Sequence, residues 1–168
     1  MRYPLEGRKT VERLTKGSGI LAGVAGLAKA LRKRSLLPAA VPLAVGWGLL
    51  ALGRTLGDAY VEIEDGQLHV KLGAFFDETI PLTAVERVAG STWSLWGGLG
   101  VRSNLKDMVA VTTKSGPVAE ITFKEPHSLA VLPKIWRIDA KRLVVSPENL
   151  SEFIEELRDG IDQDEEDD

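Results

Sequence analysis

The sequence contains no cysteine and only two histidines, His69 and His127. Without cysteine the chain has no disulfide framework, no thiolate zinc site and no cysteine nucleophile. The two histidines lie far apart and outside any HExxH-type spacing, so we expect both to be surface residues rather than metal ligands. The stretch Gly97–Gly100 lacks the GxxxxGK(S/T) pattern of a phosphate loop and is expected to form a turn or bulge. The sequence therefore predicts a protein that is not an enzyme and that holds no metal or cofactor.

The 168 residues carry a formal net charge of only -3, but the charges are unevenly distributed. Acidic residues are scarce at the start of the chain, and basic residues are scarce at its end. Residues 1–58 hold 10 basic against 3 acidic side chains (+7), residues 59–145 hold 10 of each, and residues 146–168 hold 1 against 11 (-10). A neutral middle followed by an acidic end argues against a nucleic-acid partner, because binding to phosphates needs clustered cations. Residues 162–168 are acidic except for one glutamine and are predicted to be a disordered tail.

One uncharged run stands out, the nineteen residues Ser35–Gly53. As a helix it would be about 28 Å long, close to the thickness of the hydrocarbon core of a bilayer. Basic residues flank it on both sides, as expected at a membrane surface: Arg32, Lys33, Arg34 and Arg54. The run predicts a membrane-spanning helix.

The preceding stretch, Arg13–Leu31, is a weaker candidate because its uncharged core extends only from Gly17 to Ala28. It carries a small-xxx-small ridge at Gly19 and Gly23, which favours close helix packing, and one apolar stripe formed by Ile20, Val24, Leu27 and Leu31. With a short basic turn between the two helices, residues 1–58 are predicted to form an antiparallel transmembrane hairpin. Two alternatives remain open, namely one interfacial helix with one span, or a hairpin that packs on the following domain.

The hairpin is similar to two-helix membrane hairpins of small bacterial inner-membrane proteins in four short motifs: Glu12-Arg13-Leu14, Gly23–Ala28, Arg34-Ser35 and Gly53–Gly57. Basic residues near the helix ends number six on the outer side and four at the turn. By the positive-inside rule this count predicts an inner-membrane protein with both termini, and the domain that follows, in the cytoplasm.

From Tyr60 onward the apolar pattern changes to a period of two, which predicts strands. Asp65-Gly66 separates two alternating runs and is a strong hairpin signal. Further strands are predicted over Thr79–Leu82, Val85–Ala89, Met108–Thr113, Val118–Phe123 and Arg142–Val145. Ser146 and Pro147 predict the start of a final helix, and Gly160 is expected to end it early. Residues 59–161 thus form one predicted domain, an antiparallel barrel or sandwich with a C-terminal helix.

The order of these motifs resembles bacterial pleckstrin-homology-like (PH-like) domains over Ala59–Leu157. The motifs that carry the resemblance are Asp65–Gly73, Ile80–Val85, Gly98–Arg102, Val118–Phe123 and the Val145-Ser146 helix start. The resemblance implies a seven-stranded, strongly bent barrel closed by one C-terminal helix, and several such domains follow a pair of membrane helices. It supplies no ligand, because the fold hosts lipid, peptide and protein partners.

Two features are candidate binding surfaces. Trp93 and Trp96 are predicted to form an exposed aromatic edge, unless one or both pack in the core. A second, basic segment would meet a protein or anionic lipid, unless it is simply a solvated strand face; its candidate residues are Lys134, Trp136, Arg137, Lys141 and Arg142.

Together these features predict an α+β protein with an N-terminal transmembrane hairpin, an antiparallel PH-like β-barrel and a C-terminal capping helix. The predicted function is a non-enzymatic, membrane-anchored module that binds a protein or lipid partner at the cytoplasmic membrane. The alternative is a soluble scaffold or oligomerisation protein whose helical hairpin packs on the β-barrel. The oligomeric state and the identity of the partner are left open.

Overall fold

The computed structural model describes residues 1–33, 41, 44–51, 57–132 and 136–166. The chain divides into two compact units. The β unit comprises Met1–Arg8 and Asp58–Asp168, and the helical unit comprises Lys9–Gly57. The sequence predicts a single boundary at residue 58; in the structure the first eight residues instead belong to the β unit. The helical unit is therefore an insertion in the chain of the β unit.

Sheet 1 is antiparallel, and its four strands follow the chain in the order β1-β2-β3-β4. The Asp65–Gly66 hairpin turn predicted from the sequence is confirmed between β2 and β3. Both turn residues have positive φ, 51° and 69°, as a type I′ turn requires. The strands are β1 (Arg2–Pro4), β2 (Tyr60–Glu64), β3 (Gln67–Leu72) and β4 (Phe76–Pro81).

The N-terminal segment, residues 1–7, forms a strap across the β unit. The backbone N–H of Leu5 donates to the carbonyl of Ala59 at 3.1 Å, and that of Glu6 donates to the carbonyl of Ser146 at 2.7 Å. The Leu5 side chain is completely buried. The strap thus joins the start of β2 to the segment that precedes the C-terminal helix, and it completes the core.

Sheet 2 has the strand order β5-β8-β9-β7-β6. Strand β9 lies between β8 and β7 and runs parallel to β7, whereas every other pair in the sheet is antiparallel. The strands are β5 (Val85–Trp93), β6 (Gly100–Ser103), β7 (Met108–Thr112), β8 (Gly116–Leu132) and β9 (Trp136–Val145).

The predicted closed antiparallel PH-like barrel is therefore wrong. Among the described residues the strands form two open sheets, because β1 and β4 are the edges of sheet 1 and β5 and β6 are the edges of sheet 2. The parallel β7–β9 pair also departs from a purely antiparallel arrangement. The physical reason is that a period of two predicts strands but is silent about which strands become neighbours.

Helix α3 (Leu150–Glu166) covers part of the core of the β unit. Its apolar residues Phe153, Leu157 and Ile161 are buried, and Phe153 meets Tyr3 of the strap edge to face, with ring centroids 5.5 Å apart. The helix starts four residues after Ser146, because the Ser146 hydroxyl is instead buried and accepts a hydrogen bond from the backbone N–H of Thr113.

The end of α3 also differs from the prediction. Gly160 does not end the helix, which continues to Glu166 through part of the segment predicted to be a disordered tail. At Gly160 the helix approaches Leu82 so closely that an added Cβ would lie 2.7 Å from the leucine Cδ1. The glycine therefore serves close packing rather than helix termination.

The helical unit is built around a glycine contact between α1 (Arg8–Lys33) and α2, which is described at residues 41 and 44–51. A Cβ added at Gly19 would lie 2.8 Å from the carbonyl oxygen of Gly46, and one added at Gly46 would lie 3.0 Å from the backbone N of Gly23. The ridge at Gly19 and Gly23 is thus where the two helices meet. Side chains larger than hydrogen would force the helices apart.

We expect Gly46→Ala to destabilise the helical unit, against the usual rule that alanine stabilises a helix by about 0.5–1 kcal/mol relative to glycine. The new methyl group would collide with backbone atoms, which have no alternative rotamer. Gly48→Ala is the matched control, because a Cβ at Gly48 meets nothing within 4 Å. Thermal unfolding followed by circular dichroism at 222 nm should shift in opposite directions for the two variants. Equal shifts would contradict the glycine contact.

The prediction of a transmembrane hairpin is wrong. Among the described residues, no helix combines the length and the hydropathy needed to cross a bilayer. In α1 the charged residues on either side of Gly17–Ala28 leave an uncharged stretch of about 18 Å, well short of the hydrocarbon core. Of the predicted span Ser35–Gly53, only residues 41 and 44–51 are described. The same finding contradicts the predicted inner-membrane location.

Candidate interaction surfaces

The two histidines lie on different strands, β3 and β8. His69 lies on β3, where its Nε2 is 2.6 Å from Asp77 Oδ1 and its Nδ1 is 3.3 Å from the Tyr60 hydroxyl. His127 packs against the ring of Phe123. Among the residues that the structure describes, no group of three or more side chains is placed to hold a metal ion.

The Tyr60–His69–Asp77 array was not visible in the sequence. Lys71 completes it, with Nζ 2.9 Å from Asp77 Oδ2. Hydrogen bonds from His69 and Lys71 lower the pKa of Asp77 below its usual value. Lys71 and Asp77 are neighbours because β4 pairs with β3 in a register that places them opposite each other. The turn between these two strands has no sequence motif that would predict this register. We assign it the role of holding β2, β3 and β4 in register.

The two arginines of the basic segment pair with carboxylates of the same chain. Arg137 on β9 forms a bidentate pair with Glu78 on β4, at 2.9 and 3.1 Å, and so ties sheet 2 to sheet 1. Arg142 pairs with Asp107 at 3.0 Å and with Glu120 at 3.7 Å. Because each guanidinium already faces a carboxylate, these arginines offer little free charge to an anionic lipid.

The remaining residues of the basic segment are placed as follows. Lys141 donates from Nζ to the carbonyl of Lys124 at 2.6 Å. Trp136 is exposed on β9, and Lys134 lies outside the described residues. Of the flanking residues predicted at the membrane surface, Arg32 and Lys33 belong to the last turn of α1, and Arg34 and Arg54 lie outside the described residues. Of the basic segment, the structure thus describes Trp136, Arg137, Lys141 and Arg142, and each of the three cations already has a partner within the chain.

The two tryptophans of the aromatic edge have different roles. Trp93, at the end of β5, is half-buried and packs against a small cluster on sheet 2 formed by Ala110, Val118 and Val144. Trp96 is 97% exposed, although it lies only three residues further on. Trp93 is therefore a structural residue, and Trp96 is the side chain available to a partner.

The segment Ser94–Gly98, which we call the tryptophan turn, presents Trp96 on a closely constrained backbone. The Trp93 indole N–H donates to the carbonyl of Gly98 at 2.8 Å. An added Cβ at Gly97 would lie 2.6 Å from the Trp93 ring, and Gly98 has a φ of +77°. Both glycines are needed for the turn to fold over Trp93. A turn fixed in this way loses little entropy when it binds.

A second apolar surface lies on α1. Leu14, Leu21 and Val24 are 67%, 73% and 58% exposed. At about 3.6 residues per turn these side chains lie on the side of the helix opposite to Gly19 and Gly23. Helix α1 is thus apolar on two opposite sides, of which α2 covers one. We call the exposed side the α1 stripe.

Sequence reasoning recognised Val24 as part of an apolar stripe but missed Leu14 and Leu21. Their spacing of seven residues is a signal that could have identified them. With Gly17, Val24 and Ala28 they follow the alternating three- and four-residue spacing of a heptad seam. Ile20, which the prediction also placed on a stripe, is exposed at its margin.

Comparison of the chain with models of protein families, with curated proteins and with solved structures finds no match. The resemblance to PH-like domains therefore stays a prediction that depends on the sequence motifs alone. The α1 stripe and the tryptophan turn are the two exposed apolar surfaces described above.

Proposed function

We propose that this chain is a non-enzymatic scaffold protein that self-associates through its helical unit. The observation that carries the proposal is the α1 stripe, in which Leu21 is 73% exposed on a helix already packed on its opposite side. Burying a leucine side chain contributes about 1.5–3 kcal/mol. A helix with an uncovered apolar seam is expected to find a second helix.

A second copy of the chain is the occupant best supported for this stripe. The seam covers Leu14–Ala28, about two heptads of the 26-residue α1. A heptad seam pairs with an identical seam by interdigitating the same positions. In a two-fold dimer the stripe would face itself, so that one sequence supplies both surfaces.

Charge opposes this pairing at low salt. Residues 1–58 carry +7, so a two-fold contact between helical units brings like charges together. Salt screens this repulsion over a distance of about 8 Å. Self-association through the α1 stripe should therefore strengthen as salt is raised.

We expect Leu21→Glu to abolish the contact between helical units. The substitution removes about 2 kcal/mol of apolar burial from each copy, so the dissociation constant of a dimer should rise roughly a thousandfold. Sedimentation velocity over a concentration series measures this directly. Because Leu21 is exposed, the variant should keep the helical circular dichroism signal of the original chain.

Lys9→Gln provides the matched control, since it changes the net charge by the same amount on an exposed residue of α1 that lies off the stripe. This variant should assemble like the original chain. A chain that stays monomeric at every concentration tested would sink the proposal, as would equal effects of the two substitutions.

A further inference from the structure

The tryptophan turn is an interaction surface with an identifiable chemistry. Leu95 and Trp96 are 67% and 97% exposed. Tryptophans held in this way dominate the energetics of many protein interfaces. The nearby Arg102 approaches the turn, with Nε 2.7 Å from a Cβ built at Gly98, and forms no ion pair with any described residue. A matching partner surface would combine an apolar depression with carboxylates.

The β unit itself carries a surface of that kind. A cleft of about 400 Å³ lies between the β2–β3 turn and α3, and Ile63, Leu82 and Gly160 line its apolar floor. Its lining includes four carboxylates: Glu64, Asp65, Glu156 and Asp159. Glu156 already pairs with the N-terminal ammonium at 3.0 Å, whereas the other three form no ion pair with any described residue. We call it the acidic cleft. Its volume lies within the range of sites that hold small organic groups, so an indole ring would fit.

The turn and the cleft lie at opposite ends of strand β5. Leu82 of the cleft floor comes three residues before the strand begins at Val85, and the strand ends at Trp93. Eight steps of a strand span about 26 Å. The turn therefore lies too far away to reach the cleft of its own chain.

We propose that the tryptophan turn of one copy docks in the acidic cleft of a second copy. Trp96 and Leu95 would cover the apolar floor, and Arg102 would face the carboxylates of the rim. The turn carries no charge from Ser94 to Gly98, and the first charged residue after it is Arg102. Arg102 is therefore the cation that would meet the carboxylates of the cleft. A head-to-tail contact of this kind repeats from copy to copy and builds a ring or a linear chain of molecules.

This contact rests on the proposed scaffold function, to which it adds a second mode of self-association. It does not involve the α1 stripe. The test therefore uses the full chain carrying Leu21→Glu, which removes the stripe as a contact. In that chain we expect Trp96→Ala to weaken self-association about thirtyfold or more, the range of an interface hot spot. Because Trp96 is almost fully exposed, its removal should leave the fold unchanged. Trp136→Ala removes a second exposed tryptophan and should leave assembly unchanged.

The acidic cleft is tested by Asp159→Arg, which reverses one rim charge on the exposed face of α3. Asp162→Arg is the matched control, since Asp162 is exposed on the same helix but does not line the cleft. Only the first variant should lose self-association. Both variants should unfold at the same temperature.

Mixing provides the decisive measurement. The Trp96→Ala chain keeps an intact cleft, and the Asp159→Arg chain keeps an intact turn, so an equimolar mixture should form heterodimers and no larger species. Either chain alone should stay monomeric. A mixture that stays monomeric would overturn the proposal, as would unaltered assembly of Trp96→Ala. If Leu21→Glu leaves assembly unchanged while the mixture behaves as expected, the stripe is refuted and the head-to-tail contact stands.

Discussion

Replacing Leu5 with alanine is expected to lower the free energy of unfolding of the β unit by about 2–5 kcal/mol. Leu5 is completely buried, and the backbone on both sides of it is hydrogen-bonded to the β unit through Ala59 and Ser146. The loss of three carbons would leave a cavity that hydrogen-bonded neighbours cannot close by moving inward. Urea unfolding followed by tryptophan fluorescence measures the change, because Trp93 and Trp136 both belong to the β unit.

Leu14→Ala is the matched control for this experiment. It makes the same chemical change in the same N-terminal region, but Leu14 is mostly exposed and belongs to the helical unit. Both variants are made in the Leu21→Glu chain, in which the α1 stripe forms no contact between copies. There we expect Leu14→Ala to change the free energy of unfolding by less than about 0.5 kcal/mol, as for most surface substitutions. If residues 1–58 formed one segment apart from the β unit, Leu5→Ala would spare the cooperative unfolding of the sheets. A small effect at Leu5 would therefore contradict the strap.

Phe153→Ala should have the second large effect, a destabilisation of about 3–5 kcal/mol. Phe153 is completely buried on α3 and meets Tyr3 of the strap edge to face. The substitution removes the side chain through which the helix, the strap and the core of the sheets meet. The Tyr3 hydroxyl also donates to Glu156 on the next turn of α3, and burial together with that hydrogen bond raises the pKa of Tyr3. Urea unfolding of the full chain measures the loss.

A half-buried phenylalanine elsewhere in the β unit serves as the control. Phe75 lies in the β3–β4 turn, and Phe75→Ala should cost clearly less than Phe153→Ala. A double-mutant cycle with Tyr3→Ala adds a second measurement, because the aromatic pair itself contributes about 0.5–1.5 kcal/mol beyond the area it buries. Strictly additive effects would show that strap and helix are stabilised independently, contrary to the structure.

The two proposed contacts between copies differ in symmetry. The α1 stripe pairs with itself and closes into a dimer, whereas the tryptophan turn and the acidic cleft are different surfaces and leave one of each free. A chain that uses both would link dimers into extended assemblies. This combination is what we mean by a scaffold.

Local features of the fold were predictable. Asp65-Gly66 specifies its hairpin because only a few residues tolerate positive φ at both positions. The alternation on either side of that turn predicts which side chains of β2 and β3 are buried, since neighbouring residues point to opposite faces. The ridge at Gly19 and Gly23 predicts a close helix contact because the absence of a side chain is itself a local property.

Long-range features were not predictable. In sheet 2, β9 lies between β7 and β8. No short sequence motif encodes which strand, many residues away along the chain, becomes the neighbour of β7. The role of Arg137 changed from a free cation to a link between sheets because Glu78, far away in the sequence, lies opposite it. The split between Trp93 and Trp96 followed from the turn that folds over the first of them.

The amino-acid sequence by itself determined the local periods, the turn chemistry, the segregation of charge and the absence of cysteine chemistry. The local periods and the turn chemistry depend on residues within a few positions of one another, whose backbone preferences act whatever surrounds them. The charge segregation and the absence of cysteine follow from the composition alone. Tertiary structure alone decided that the first eight residues belong to the β unit, that the two sheets stay open and that the described arginines of the basic segment are paired. Those outcomes depend on which distant surfaces come into contact, because burial and ion pairing are properties of a neighbourhood in space.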